Sequence, residues 1–229
     1  TDHHPLIDPL SRVHSEGVRP GRRAPDAERK AQSYVQSGKR IVVDVDLETF
    51  FDRVNHDILI DRLGKRIQDK AIVRLVRAYL NVGIMRHGVV QERYQGTPQG
   101  GPLSPLLANI LLDEVDQELQ KRGHCFVRYA DDCNVYVGSI RAGQRVMRLL
   151  RSCYDRLKLK VNETKSAVAD VIGRQFLGSR FWVGRKATIK RRVADKAMTR
   201  FKHRIRQLTR RNRSQSLSDI IARLRSYLL

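Results

Sequence analysis

Residues 125–138 read "CFVRYADDCNVYVG". Two adjacent carboxylates, Asp131 and Asp132, interrupt a pair of short strands, with Phe126, Val127 and Tyr129 before them and Val135, Tyr136 and Val137 after. A third acid, Asp46, closes another strand, in which Ile41, Val43, Val45 and Leu47 alternate with Val42, Asp44 and Asp46. One face of that strand is apolar and the other carries two acids. If both strands belong to one sheet, Asp46, Asp131 and Asp132 converge at its edge. Like charges held that close demand a cation. Carboxylates select hard, oxygen-seeking ions, and Mg²⁺ is typically held by one or two protein carboxylates plus substrate phosphates. Two such ions about 3.5–4 Å apart activate an attacking hydroxyl and stabilise the leaving oxygen of phosphoryl transfer. The competing reading is that Asp131 and Asp132 are ordinary hairpin-tip residues, since Asp favours turns.

The elements that must position these acids can be read from periodicity. Residues 1–40 are rich in Pro, Gly, Arg and His, with helical character only in "APDAERKAQSYVQSG", where Pro25 suits a first turn and Gly38 a C-cap. This stretch is not expected to fold alone. Helices are expected in "NHDILIDRLGKRIQ", with Asn55 as N-cap, and in "DKAIVRLVRAYLNVG", where Ile72, Leu75, Val76 and Tyr79 form a stripe. "GIMRHGVVQERYQG" reads as a hairpin turning near His87 and Gly88. A Gly-rich loop then enters a leucine-rich helix, with Ser104 as N-cap, Pro105 at the first helical position and Gly123 at its end. A basic helix follows around 141–157, then short strands through 184. The alternation lacks the regular rhythm of a doubly wound sheet, so an α+β layer is expected.

Composition narrows the partners. The net charge of +21 and pI near 10.7 point to a polyanion, nucleic acid first. No apolar run of 18 residues exists, so a bilayer span is not expected. Cys125, Cys133 and Cys153 are odd in number and lack metal-ligand spacing, which suits small, partly buried side chains in a reducing compartment. Thirteen Lys and Arg against one acid, Asp195, occupy residues 184–213. Val193, Ala197, Phe201, Ile205 and Leu208 recur there every three or four residues, the pattern of one amphipathic helix with a cationic face suited to phosphates. A merely solvated face is the alternative. Both ends of the chain have the character of interior segments of a longer protein.

Four blocks then carry a resemblance. "VVDVDLETFFDRVNHD", "QGTPQGGPLSPLLANILL", "FVRYADD", and "LKLKVNETKS" followed by "FLGSRF" resemble, in order, the palm motifs of reverse transcriptases, most closely those encoded by bacterial group II introns. A lone Tyr-x-Asp-Asp is weak; the full set is specific. The resemblance covers essentially the whole chain. It implies a right-hand polymerase palm with partial fingers over 1–183 and the start of a basic helical thumb or maturase region over 184–229.

The resemblance also implies roles. Asp46 and Asp131 would hold two Mg²⁺ ions, with Mn²⁺ a substitute, the Leu47 carbonyl a further ligand, and Asp132 the nearby second acid. Asp44, on the same strand face, does not align with a ligand. Phe51 matches the steric gate that rejects a ribose 2′-hydroxyl; its plainer reading is core packing, with Phe50 the better core candidate. Gln99 and Gly100, with Gly101, match the loop facing the incoming nucleotide, although a capping amide is the alternative for Gln99. Lys165 matches the lysine near the leaving pyrophosphate, or is a surface lysine. Tyr129 is expected beneath the primer end, which suits a half-buried strand tyrosine. Segment 176–183 resembles a primer-gripping hairpin, and Arg185, Lys190, Arg191, Arg192, Arg200 and Arg204 are candidate primer and template contacts. The implied activity is RNA-directed DNA synthesis from deoxynucleoside triphosphates and a DNA primer, with aid to splicing of the intron RNA. The implied setting is a bacterial cytoplasm, in association with that RNA. An RNA-binding splicing factor or inactive mobile-element remnant is the alternative from another class, and an RNA-directed RNA polymerase, against which Phe51 argues, is a third.

Overall fold

The computed structural model describes residues 24–82, 84–86, 89–91, 95–97, 103–210 and 216–228. They fall into two compact units that meet in sequence between Val171 and Ile172.

The first unit is built on a four-stranded antiparallel sheet: β1 (Ile41–Val45), β4 (Cys125–Tyr129), β5 (Asp132–Val137) and β6 (Ala167–Asp170), in the order β4-β5-β1-β6. The intervening elements are α2 (Phe50–Arg53), α3 (His56–Gly64), α4 (Lys70–Asn81), the paired strands β2 (Ile84–Arg86) and β3 (Val89–Gln91), and α5 (Ser104–Lys121). α1 (Ala24–Gln36) precedes the sheet in sequence and α6 (Ile140–Arg156) joins β5 to β6. The β1–β5 register pairs Val45 with Cys133 and Asp44 with Asn134. The β4–β5 register pairs Arg128 with Cys133 and Tyr129 with Asp132. Directly paired residues share a face. Val43, Val45, Cys133, Val135, Phe126 and Arg128 therefore lie on one side of the sheet, and Val42, Asp44, Asn134, Tyr136, Val127 and Tyr129 on the other.

The first side packs on α5 and α6. α5 buries Leu107, Ile110, Leu111, Leu112, Val115 and Leu119, together with the polar Asn109, Asp113 and Asp116. A helix apolar nearly all round is a buried one. α6 is amphipathic instead: Gly143, Val146, Met147, Leu150, Cys153 and Tyr154 are buried at helical spacing, and the intervening arginines 141, 145, 148 and 151 face solvent. Its Ser139 cap accepts from the Ala142 amide at 3.2 Å. Gly143 sets how near α6 comes to the sheet, because a Cβ there would stand 2.4 Å from Val168 Cγ1. On the opposite side, α1 buries Ala27, Ala31 and Val35, and Tyr34 meets Tyr136 at a ring distance of 5.9 Å.

Several local expectations hold. Asn55 caps α3 by accepting from the Ile58 amide at 3.0 Å, and β2 pairs with β3 as a hairpin requires, although His87 and Gly88 lie outside the described residues. Ser104 is not an N-cap. It is the first helical residue and is buried, while Leu103 occupies the cap position without a side-chain bond. The proline at the helix start supplies the pre-set φ that the cap would otherwise support.

In the second unit, β7 (Gln175–Phe176), β8 (Ser179–Val183) and β9 (Ile189–Val193) form a three-stranded sheet ordered β7-β8-β9, followed by α7 (Asp195–Leu208) and α8 (Leu217–Leu228). The cationic stretch is thus not one helix. Val193 ends a strand, exposed, and helical structure begins at Asp195. Val193 stands four residues before Ala197 and so fits the helical stripe, but pairing of 189–193 with β8 makes it the end of a strand. α7 and α8 contact through Phe201 and Tyr227, whose rings stack at 6.1 Å. Among the described residues no helix is long and apolar enough to cross a membrane.

Candidate active site

The acids come together as the pattern requires. β1 and β5 are hydrogen-bonded neighbours, and their register carried one step past Val45–Cys133 brings Asp46 opposite Asp132. Asp131 and Ala130 form the turn between β4 and β5, so Asp132 begins the strand while Asp131 stands at the tip. Ala130 is left-handed at φ 54°. Asp132 is exposed at the start of β5, yet partial desolvation of its carboxyl by the surrounding protein, helped by the negative charges of Asp131, Asp44 and Asp46, pushes it up to about 6. Burial, and then Asp46, also raises Asp131. Lys165 lowers both and Arg128 lowers Asp131, but they offset only part of the burial and the neighbouring negative charge. Among the described residues, no group of three or more His, Cys, Asp or Glu side chains is arranged to hold a metal ion by itself. An open site that completes its shell with substrate oxygens suits Mg²⁺.

Asp46 is fixed through its backbone. Its amide donates to Ser166 Oγ at 3.0 Å and its carbonyl accepts from the Asn162 amide at 2.9 Å. Leu47 bridges Val161, flanked by the Glu48 amide donating to the Lys160 carbonyl at 2.8 Å. This ladder engages the carbonyls of Asp46 and Lys160 but not that of Leu47. Asn162 also shapes the turn that presents Lys165, accepting from Thr164 Oγ1 at 2.7 Å and from the Lys165 amide at 3.3 Å. Lys165 Nζ stands 3.5 Å from Asp46 Oδ1. Beside Asp46 lies an open cleft lined by Leu47, Glu48, Thr49, Arg53, Lys160 and the 162–165 turn. Three cations, Arg53, Lys160 and Lys165, border it, and Glu48 pairs with Lys160 at 3.1 Å and with Arg53 at 3.5 Å.

Phe50 is buried and Phe51 half-buried, their rings edge to face at 5.1 Å. The Phe51 carbonyl accepts from the Thr97 amide at 2.6 Å, and the Gly96 amide donates to the Val54 carbonyl at 2.7 Å. Gly96 has φ 87°, and a Cβ there would lie 2.8 Å from the Asp52 carbonyl oxygen, so only glycine permits this approach. Buried His56 bonds the Gly96 carbonyl at 2.7 Å. Gln99, Gly100 and Gly101 lie outside the described residues. Tyr129 is half-buried and pairs with Asp132 on the acid-bearing side.

The candidate primer and template contacts lie in the second unit. Lys190, Arg191 and Arg192 are on β9, Arg185 is in a short turn (Arg185–Ala187), and only Arg200 and Arg204 are on α7. Trp182 is partly exposed, with Lys190 Nζ 5.7 Å from its ring centre, and Arg180 pairs with Asp195 at 3.0 Å.

Sequence reasoning passed over the buried polar residues that tie these parts together: Arg128, Asp116 and Asn109 behind the acid turn, His56 behind Gly96, and Ser166 at Asp46. The signal was there for the first group. Arg128 interrupts an apolar strand, and Asn109 and Asp116 fall among the buried leucines of α5. All three cysteines are free, and burial pushes the Cys133 thiol up to about 12.

An antiparallel sheet with acids at a strand end and an adjacent turn, backed by two helices, defines the palm of a polymerase. The chain belongs to the reverse transcriptase (RNA-dependent DNA polymerase) family, whose pattern matches residues 4–181. It is 35% identical over 112 residues to the group II intron-encoded protein LtrA of Lactococcus lactis subsp. cremoris, covering 49% of this chain and 18% of that protein. It is 24% identical over 139 residues to the retron Ec86 reverse transcriptase of Escherichia coli, covering 58% and 39%. Among solved structures it resembles apo telomerase from Candida tropicalis, with a TM-score of 0.61 and 13% identity, over 85% of this chain and 40% of that one, a likeness of fold. The chain spans between 13% and 39% of the length of the curated relatives it matches.

Proposed function

We propose that the chain is the catalytic palm of a group II intron-type reverse transcriptase, extending a DNA primer on an RNA template. The observation that carries this reading is the convergence of Asp46, Asp131 and Asp132 at one sheet edge, where burial and mutual repulsion raise the last two carboxyls. Asp46 and Asp131 would hold two Mg²⁺ ions, with Mn²⁺ a substitute, and the Leu47 carbonyl is free of the neighbouring ladder to join them. Bound there, the ions would lower the pKa of the primer 3′-hydroxyl and neutralise charge on the transferred phosphoryl. Asp132 adds negative potential from the adjacent strand end. The cleft beside Asp46, with Arg53, Lys160 and Lys165 on its rim, suits a triphosphate, and Lys165, 3.5 Å from Asp46, would stabilise or protonate the leaving pyrophosphate.

Phe51 is the sugar gate in this reading. Its backbone is tied to the 95–97 segment by the Thr97 amide, which donates to the Phe51 carbonyl. Tyr129 supports the primer end, and Arg185, Lys190, Arg191, Arg192, Arg200 and Arg204, in the thumb-like region over 184–229, contact the backbone of the primer–template duplex. Intron RNA is the natural template and splicing partner, in a bacterial cytoplasm. Single-nucleotide extension of a DNA primer on an RNA template with Mg²⁺ tests the assignment. Extension that depends on Asp131 supports it, and extension by Asp131→Asn at the parent rate would overturn it.

A further inference from the structure

The turn that presents Asp131 is held from behind. Arg128 lies on the helix-packed side of the sheet, 1% exposed, and donates from Nε and Nη2 to Asp116 at 2.9 and 2.6 Å. Its Nη1 donates to Asn109 Oδ1 at 2.9 Å and to the carbonyl of Ala130 at 2.8 Å. Asp116 is also 1% exposed, and Asn109 is buried. One guanidinium thus joins two turns of α5 to the residue immediately before Asp131. That residue, Ala130, is non-glycine and left-handed, a conformation that persists only where surrounding contacts over-determine it.

We propose that Arg128, anchored on α5 by Asp116 and Asn109, is a positioning residue that locks Ala130 in its left-handed conformation and so sets where Asp131 and Asp132 stand relative to Asp46. Stability does not account for the network, because a buried ion pair can usually be exchanged for apolar groups of similar volume at little loss. Geometry does account for it. The planar fork of arginine reaches Asp116, Asn109 and Ala130 in fixed directions, which a single ammonium cannot do. β4 and β5 pair on either side of the turn, but the strand ladder alone leaves the Ala130 carbonyl outside its bonds. A bond from a rigid, 18-residue helix therefore constrains the one peptide that the ladder does not.

The proposal rests on the reading of Asp131 as a cation ligand, and the test separates the two. The paired replacement Arg128→Met with Asp116→Leu removes both buried charges together, so the fold should survive with its melting temperature changed by a few degrees. Amide hydrogen exchange across residues 129–133 should then run at least ten-fold faster than in the parent, with α5 and α6 unchanged. Affinity for Tb³⁺, read by luminescence, should fall about ten-fold. Asp131→Asn should lower Tb³⁺ affinity without altering exchange in the turn. Parent-like exchange over 129–133 in the folded double variant would overturn the lock. Should that variant fail to fold, Arg128→Lys keeps the charge beside Asp116 and loses the fork; faster turn exchange supports the lock and unchanged exchange overturns it. Tb³⁺ binding that ignores Asp131→Asn would remove the metal assignment while exchange still decides the lock.

Discussion

Asp131 and Asp132 are neighbours in sequence with different work to do. If Asp131 holds a metal ion as proposed, Asp131→Asn in the intact protein should cut extension by on the order of 10³-fold or more, while duplex affinity measured by filter binding stays within about two-fold. Asp132 is the more frustrated of the two, with its carboxyl pushed up to about 6. A carboxyl raised in the folded chain opposes folding above that value, and the penalty is relieved as pH falls through about 6 towards its ordinary value. In EDTA at pH 7.5, Asp132→Asn should therefore stabilise the chain by about 1 kcal/mol once screening at the exposed sheet edge is allowed for. The gain over the parent should shrink by pH 5 and in millimolar Mg²⁺. Thermal melts in those conditions check it, and a variant no more stable than the parent at pH 7.5 would remove the repulsion argument. At Phe51, truncation to Ala should admit ribonucleotides with modest loss of deoxynucleotide use. Unchanged sugar discrimination in single-nucleotide incorporation would leave Phe51 as a packing residue beside Phe50.

At the scale of elements, two close approaches set the site. One is α6 on β1 and β6 at Gly143. Ala at a helix interior gains about 1 kcal/mol over Gly in propensity, but here its Cβ would stand 2.4 Å from Val168 Cγ1. Overpacking of that kind costs roughly 1–3 kcal/mol, so Gly143→Ala should be net destabilising. In a Val168→Ala background the same change should become neutral or favourable, which a double-mutant cycle by urea unfolding would show. The other is Gly96 against α2, where the 95–97 segment docks by backbone bonds. The first approach is invisible to periodicity, because a glycine inside a helical pattern reads only as a weak position. The helix ends were easier to read where a side chain caps its own backbone, as Asn55 does, and harder where proline alone starts the helix, as at α5.

Over the whole molecule, the dominant quantity is charge. A surface excess of this size attracts nucleic-acid backbone wherever it is presented, and the second unit presents it on a strand and a helix together. If five to eight of its side chains engage phosphates, log K should fall against log salt with a slope of about −4 to −7 on a B-DNA-like duplex. Neutralising Lys190, Arg191 and Arg192 on β9 should flatten that slope by up to about 3, and Arg200 and Arg204 on α7 by up to about 2, as filter binding across salt would measure. A slope insensitive to both sets would place the binding face elsewhere.

The amino-acid order by itself determined the family and nominated the acids, and it gave the class of element on which most of them lie. Alternation put Asp44 and Asp46 on one strand face, turn chemistry put Asp131 beside Asp132, and block order carried the family. These are local properties, written within a few residues. Tertiary structure decided what depends on partners far along the chain. Pairing with β8 made Val193 the end of a strand, although its spacing from Ala197 fits the helical stripe. The β1–β5 register brought Asp46 and Asp132 together across 85 intervening positions of chain. Burial turned Arg128, Asp116 and Asn109 from isolated polar residues in apolar segments into one bonded network, because a charge that leaves water must find its partners wherever the fold has placed them.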